Sequence, residues 1–452
     1  MLSLRTCQRQ FATATILRAA KPPPARGKVQ GFSRKKFKAG DKDSSKKISR
    51  GTLYKNWKDT VQTARLNKNA PRVPDMPTCK LDNLENIKES LNKVVNYTDR
   101  QYKYLHVLGA FKKDQFNELF KQPITLIRKD TTEEFIKLIE SSKIKNYIIT
   151  GEPGVGKSVL LSQTQAYAIE NNFITLNVSY PNLFINGRND FFFDQTANTY
   201  FQPMYLKQLL SKLKNSADAK VYESLLLKNN YRFLGVISSL SSTHKTVNFE
   251  KGKNSVLDLL NLNIQPRQRG MLFQAIIDEL SAQDKYPVLL TIDNFSSLLT
   301  NPYTAYKDTS NKNIFLMDLQ LGKILMNIIE GKINFKNPKS AVVLAISGVD
   351  RTNQTLPVGL GKLEEDVYVK PKYYEPRFSK ILQNGGVQEF EVPKLNKSEV
   401  SQLIDFYIKS GIVSENDVEK TNETTKLIDE KYIISGNGNP RELLKSFVLS
   451  HS

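Results

Sequence analysis

The sequence predicts an α/β fold: a parallel sheet flanked by helices, with a long helical insertion and a small helical unit at the C-terminus. Three observations predict it. Between Tyr147 and Val178 an apolar run, a glycine loop, a helical stretch and a second apolar run follow one another, which is the order of a βαβ unit. Two more apolar runs, Val288–Ile292 and Ala341–Ile346, have the length and continuity of strands buried on both faces. Between the second and third of these four runs lie about a hundred residues whose apolar positions mostly recur at helical spacing.

The chain has 452 residues and a formal net charge of +21, very unevenly placed. Residues 1–70 hold 18 Lys and Arg against three acids, Asp41, Asp43 and Asp59, so this stretch supplies +15 of the total. Residues 1–20 have the composition of a mitochondrial presequence: Arg5, Arg9 and Arg18, no acid before Asp41, and Leu2, Leu4, Phe11, Ile16 and Leu17 for one helical face. A mitochondrial matrix location is the expectation. Residues 21–79 read as a basic, extended arm. Lys21-Pro22-Pro23-Pro24 excludes a helix, and the clusters Arg34, Lys35, Lys36, Lys38 and Lys46, Lys47, Arg50 have little to bury. Phe32, Phe37, Tyr54 and Trp57 are interleaved with these cations, a pairing suited to RNA, where cations meet phosphate and rings stack on bases. A solvated tail is the other reading of the same charge. No apolar run approaches the roughly 18–20 residues of a membrane span, so membrane insertion is not expected. The two cysteines, Cys7 and Cys79, and the scattered His106, His244 and His451 form no metal-ligand pattern.

Residues 80–390 read as the α/β domain. Asn83–Lys93 and Thr131–Ser142 have helical spacing; Tyr147–Thr150 is a strand, Val159–Asn171 a helix and Phe173–Val178 a second strand. The insertion covers about 181–286, with Met204–Leu213 and Met271–Ser281 as its clearest helices. Residues 391–452 read as a lid of two or three helices, one starting at Ser398 and the last at Asn439-Pro440.

The chemistry concentrates at a few points. Gly151-Glu152-Pro153-Gly154-Val155-Gly156-Lys157-Ser158, followed by Val159, satisfies every fixed position of the phosphate-binding loop G-x-x-x-x-G-K-[ST]. The glycines let backbone N–H groups turn towards phosphate, Lys157 reaches the β- and γ-phosphates, and Ser158 is a Mg²⁺ ligand. The expected ligand is a purine nucleoside di- or triphosphate. The run Val288–Ile292 ends in Asp293, which after such a loop is placed to hold the Mg²⁺ water shell, so Ser158 and Asp293 are the expected metal residues. Asn294 stands where many ATPases carry the carboxylate that polarises water, which predicts at most slow hydrolysis and leaves no catalytic residue assigned. Ser347, ending the run from Ala341, is either a γ-phosphate sensor or part of a turn. In Gly436–Leu443, Pro440 and Arg441 either only begin a helix or face the nucleotide from the lid.

Taken together, GEPGVGKS (151–158), VLLTIDN (288–294), AVVLAISG (341–348) and GNGNPREL (436–443) resemble the death-associated-protein-three family, the P-loop protein of the mitochondrial small ribosomal subunit, and more broadly the AAA+/STAND nucleotide-binding class. The likeness runs from about residue 80 to the C-terminus, and the arm shares only its basic, extended character. The resemblance implies a P-loop NTPase core and a structural role in the small subunit. It further implies bound guanine nucleotide, GTP or GDP, with Mg²⁺, and contacts with small-subunit ribosomal RNA and neighbouring mitochondrial ribosomal proteins. The guanine preference is not legible in a base-reading motif: Asn67-Lys68, Asn311-Lys312 and Asn396-Lys397 all lack the Asp of Asn-Lys-x-Asp, so ATP stays open. Two other functions are compatible with a P-loop. A signalling NTPase of the STAND type would need another carboxylate, such as Glu152, and a nucleic-acid remodelling ATPase would carry its basic charge in the core rather than in a tail.

Overall fold

The computed structural model describes residues 76–112, 123–141, 145–234, 246–348, 350, 352–366, 368–410, 412–413 and 424–448. The presequence and the seven arm residues Arg34, Lys35, Lys36, Lys38, Lys46, Lys47 and Arg50 lie outside the described residues.

In chain order the first three strands are β1 (Thr78–Cys79), β2 (Val94–Tyr97) and β3 (Ile124–Leu126), which form a small sheet in that order. β1 pairs parallel to β2 and β3 antiparallel to it. The last residues of the stretch read as an arm thus belong to a sheet, with Cys79 buried. Asn83–Lys93 was expected to be helical throughout; the helix is only Leu84–Glu89, capped by Asn83, and Lys93 leads directly into β2.

The main sheet has five parallel strands. β4 (Asn146–Thr150) and β5 (Ile174–Val178) flank the glycine loop and the helix Lys157–Glu170. The hairpins β6 (Phe192–Asp194) with β7 (Thr199–Phe201) and β8 (Tyr231–Leu234) with β9 (Thr246–Phe249) follow, then β10 (Val288–Asp293), the hairpin β11 (Tyr303–Lys307) with β12 (Asn313–Phe315), β13 (Ala341–Ala345) and β14 (Gln388–Glu391). The order is β14-β4-β13-β10-β5, every neighbouring pair parallel. The two hairpins in the segment read as mostly helical come from short aromatic and β-branched runs, Phe192-Phe193 against Tyr200-Phe201 and Tyr231–Leu234 against Thr246–Phe249. β14 escaped the sequence reading because an edge strand needs no continuous apolar run: Gln388-Glu389-Phe390-Glu391 carries one apolar residue, and none of the four is fully buried.

β4, β13, β10 and the edge strand β5 are buried on both faces, and their side chains alternate between two cores. Val288, Leu290 and Ile292 join Ile174, Leu176 and Val178 in a core completed by the helices Pro203–Lys214, Arg269–Ala282 and Gln320–Glu330. Leu289, Val343 and Ile149 point the other way, towards the helices Glu134–Ser141 and Lys157–Glu170. A third core is built by the helices Lys397–Lys409, Thr424–Ile434 and Pro440–Val448, and it takes in Val94 of β2 and Leu126 of β3. The first of these helices starts one residue before the Ser398 expected from the sequence. Asn396 is its N-cap and Glu399 its reciprocal partner in a capping box, with Glu399 N–H donating to Asn396 Oδ1 at 2.8 Å and Asn396 N–H to Glu399 Oε2 at 2.9 Å.

Register sets the functional end of the sheet. Asp293 lies level with Ala345, and Ala345 with Ile149. The glycine loop after β4, the end of β10 and Ile346-Ser347 after β13 therefore emerge side by side at the carboxyl edge, where open parallel sheets bind ligands.

Candidate phosphate-binding site

The glycine loop joins β4 to the buried helix Lys157–Glu170, whose N-terminal N–H groups face the loop. Lys157 is almost wholly buried; its ammonium donates to the carbonyls of Gly151 (2.9 Å) and Glu152 (2.7 Å), so it is folded back over its own loop. Burial holds its pKa down to about 8; nearby Asp293 and Glu152 oppose the fall and Arg441 adds to it. A phosphate would exchange those two carbonyls for a charge-assisted contact.

Asp293 is buried at the end of β10. Its Oδ1 accepts from the Ser158 hydroxyl at 3.1 Å and from the Asn294 N–H at 2.8 Å, while its Oδ2 is ion-paired with Lys112. Asn294 takes a left-handed backbone, φ 58°, which turns the chain sharply out of the sheet. Ser347 donates its N–H to Ser296 Oγ at 3.1 Å, and the same hydroxyl donates to Asp350 at 2.8 Å. Ser158 and Asp293 together present a hydroxyl and an anionic oxygen, hard donors that suit Mg²⁺, an ion that takes one or two protein oxygens and completes its shell with water and phosphate. Among the described residues no cluster of three or more His, Cys, Asp or Glu offers a second metal set.

The opposite wall comes from the C-terminal helices. Asn439 caps the helix Pro440–Val448, accepting from Arg441 N–H at 3.1 Å, and its Nδ2 donates to Pro153 O of the glycine loop at 2.9 Å. Gly154 is needed here for space: a Cβ on it would lie 2.7 Å from Asn439 Oδ1 and 2.8 Å from Arg441 Cβ, and its φ is 90°. Gly438 fits as tightly, since a Cβ would fall 2.1 Å from Leu395 O. Lys394 pairs with Glu152 at 3.0 Å. Glu152, the alternative carboxylate, is thereby engaged with the lid side and exposed. Arg128, following β3, binds Glu399 (2.9 Å), Pro393 O (3.0 Å) and Lys394 O (2.9 Å), a nearly dry ion pair that ties the segment before the first C-terminal helix to the small sheet.

Between these walls is a cavity of about 580 Å³. Gly154, Val155, Gly156, Lys157, Ser158, Val159, Asp293, Asn294, Ser347, Pro440 and Arg441 all line it, so stretches almost 300 residues apart in sequence meet at one hollow. Gly151, Glu152 and Pro153 do not line it; they sit behind the loop and supply the carbonyls that hold Lys157 and Asn439. Away from the phosphate loop the wall turns apolar, with Tyr97, Ile124, Leu126, Leu403, Tyr407 and Leu444. Lys112, Arg128 and Lys394 were not singled out from the sequence, and Asn439 was read there only as the start of the last helix. Only Asn439 carried a signal there, an Asn before a helical Pro; the others are defined by partners far along the chain.

The sequence has relatives among known proteins. The sequence model of the family described as mitochondrial ribosomal death-associated protein 3 matches residues 125–446. The small ribosomal subunit protein mS29 of Neurospora crassa is 22% identical over 407 residues, covering 85% of this chain and 80% of its own length. The protein of the same name from Schizosaccharomyces pombe is 24% identical over 366 residues, covering 78% and 70%. With the family model spanning the glycine loop, β10, β13 and the Asn439 cap, this chain belongs to the mitochondrial ribosomal death-associated protein 3 family.

Proposed function

We propose that this protein is a structural component of the mitochondrial small ribosomal subunit, working in the matrix, and that it holds a purine nucleotide with Mg²⁺ in the cavity at the carboxyl edge of its sheet. The observation that carries the nucleotide reading is the convergence of Lys157, Ser158, Asp293 and Arg441 on one hollow. Lys157 and the helix N-terminus would bind the β- and γ-phosphates, Ser158 and Asp293 would hold the metal, and Arg441 would face the phosphates from the C-terminal wall. GTP or GDP is the favoured ligand through family membership, with ATP the alternative. Mg²⁺ there neutralises phosphate charge. Turnover is slow on this reading, because Asn294 supplies no base and Glu152 is paired with Lys394. The nucleotide then acts as a ligand of the folded state, stabilising it by about 2.7 kcal/mol at a hundredfold excess over Kd.

The basic arm, residues 21–70, completes the proposal as the contact with small-subunit ribosomal RNA, while the folded body meets neighbouring ribosomal proteins. Gradient sedimentation of mitochondrial extract tests the assembly. The chain is expected to co-migrate with the small subunit and to release guanine nucleotide on denaturation; migration as a free protein overturns the assignment. For the arm, RNA affinity should fall with salt at a log–log slope of about −4 to −6 if six to eight cations meet phosphate. Deletion of residues 21–70 flattens that slope if the arm carries the contact, and an unchanged slope assigns the RNA contact elsewhere.

A further inference from the structure

Lys112 adds a cation that the phosphate-loop motif does not require, and a buried polar network holds the end of the helix that precedes it. A chain of buried polar groups runs along one face of the main sheet, from the helix Lys157–Glu170 over β10 to the edge strand β5. Gln165 Nε2 donates to Thr291 Oγ1 (3.0 Å), Thr291 Oγ1 to Asn177 Oδ1 (2.9 Å), and Asn177 Nδ2 to the carbonyl of Leu108 (2.7 Å). The same carbonyl accepts from Ser179 Oγ at 2.5 Å and from Lys212 Nζ at 3.3 Å. Buried polar side chains stabilise less than apolar ones of the same shape, but a hydrogen-bonded network of them fixes positions specifically. It ends on the last residue of the helix Asp99–Leu108, four residues before Lys112. From there the Lys112 ammonium reaches Asp293 Oδ2 and lies 5.0 Å above the ring of Tyr180, and both Lys112 and Tyr180 line the cavity.

We propose that Lys112 is a built-in counter-ion of the phosphate site, competing with Mg²⁺ for Asp293 and turning to the terminal phosphate of the bound nucleotide, so that nucleotide binding depends little on the metal. The inference rests on the nucleotide reading of the same cavity. Both oxygens of Asp293 are already engaged, Oδ1 by Ser158 and the Asn294 N–H, Oδ2 by Lys112. A divalent ion arriving at Ser158 and Asp293 meets an ammonium beside the same carboxylate, and in a poorly solvated site the two cations repel strongly. When the ammonium swings from carboxylate to phosphate it keeps an anionic partner, and Lys112 and Lys157 together supply two positive charges at the phosphate end.

The test is nucleotide affinity of the full chain with Mg²⁺ and with EDTA, for wild type, Lys112→Met and Lys112→Arg, with thermal melts to show that each is folded. Wild type and Lys112→Arg are expected to bind only about threefold more weakly without metal. Lys112→Met, which keeps the stem and loses the charge, is expected to bind more than about thirtyfold more weakly without metal than with it, a gap of roughly 2 kcal/mol. Should Lys112→Met not fold, wild type alone decides: a metal dependence beyond about thirtyfold overturns the inference. Equal metal dependence in Lys112→Met and wild type overturns it as well and leaves the nucleotide reading standing. Binding by none of the proteins in either condition removes the nucleotide reading and this inference together.

Discussion

The two walls of the cavity are built in opposite ways. The sheet wall is made by register: Asp293, Ala345 and Ile149 are level in three adjacent parallel strands, and each is followed within a few residues by a site group. Its position is over-determined by two buried cores on either side of the sheet. The C-terminal wall belongs to a separate core and reaches the glycine loop through a few polar links: Asn439 to Pro153 O, Lys394 to Glu152, and the Arg128 cluster behind them. One wall is therefore fixed by two cores around the sheet, while the other packs on the small sheet through Val94 and Leu126 and meets the glycine loop through side chains that single substitutions can remove. On the proposed nucleotide reading, most of the phosphate contacts would come from the sheet wall, with Arg441 added from the helices.

The largest expected effect on the latched wall comes from Arg128. Its guanidinium and the Glu399 carboxylate are 8% and 2% exposed, so Arg128→Ala leaves an uncompensated buried carboxylate. It also strips two carbonyls of their donors, and should cost about 3–5 kcal/mol in chemical denaturation. A loss below about 1 kcal/mol would show that the C-terminal helices are held mainly by their apolar contacts.

The rigid wall predicts a pH signature. Lys157 in the folded chain sits at about 8 against an ordinary 10.5, so between those values the unfolded chain holds a proton that the folded one has released. Stability without nucleotide, taken relative to Lys157→Met so that other buried groups cancel, should therefore be flat below pH 8 and rise with pH towards 10.5. Nucleotide favours the charged amine, so affinity should fall as pH rises above about 8. A stability difference that falls over this window would contradict the buried placement of the amine.

Asn439 separates cap from latch. Asn439→Ala removes both and should cost about 1–2 kcal/mol. Asn439→Asp keeps the capping oxygen but loses the donor to Pro153 O, so it should recover most of that stability while still weakening nucleotide binding; wild-type binding by Asn439→Asp would reduce Asn439 to a helix cap, and equal loss of stability in the two variants would leave it only a latch. At the small end, Lys397 and Asp429 pair at 2.9 Å but are 62% and 59% exposed. Asp429→Asn should change stability by no more than about 1 kcal/mol, and a larger loss in a denaturation curve would mean the helices depend on surface charge.

The same contrast explains what could be read from the sequence. The glycine loop and the end of β10 were legible as structure because their signals are local: eight consecutive residues make the loop, and an apolar run ending in Asp293 makes the strand. β4, β5, β10 and β13 were legible because burial on both faces, even at the covered edge β5, favours continuous apolar runs. β14 was not, since pairing with β4 at an edge leaves Gln388, Glu389 and Glu391 tolerable. The start of the helix at Lys397 was missed by one residue because Ser398 is itself a good cap; only the reciprocal pairing of Asn396 with Glu399 decides between them. Lys112 and Arg128 carried no signal at all, because their meaning lies in Asp293 and Glu399, 181 and 271 residues further on.

The nucleotide content of the purified full-length protein tests the central claim most directly. Protein denatured immediately after purification is expected to release close to one guanine nucleotide per chain. Lys157→Ala removes the one amine that the loop folds inward and should cost about 3 kcal/mol of binding, roughly a hundredfold in affinity, so it should come through purification nearly empty. Equal occupancy in the two proteins, or none in wild type, would contradict the assignment of the cavity to nucleotide.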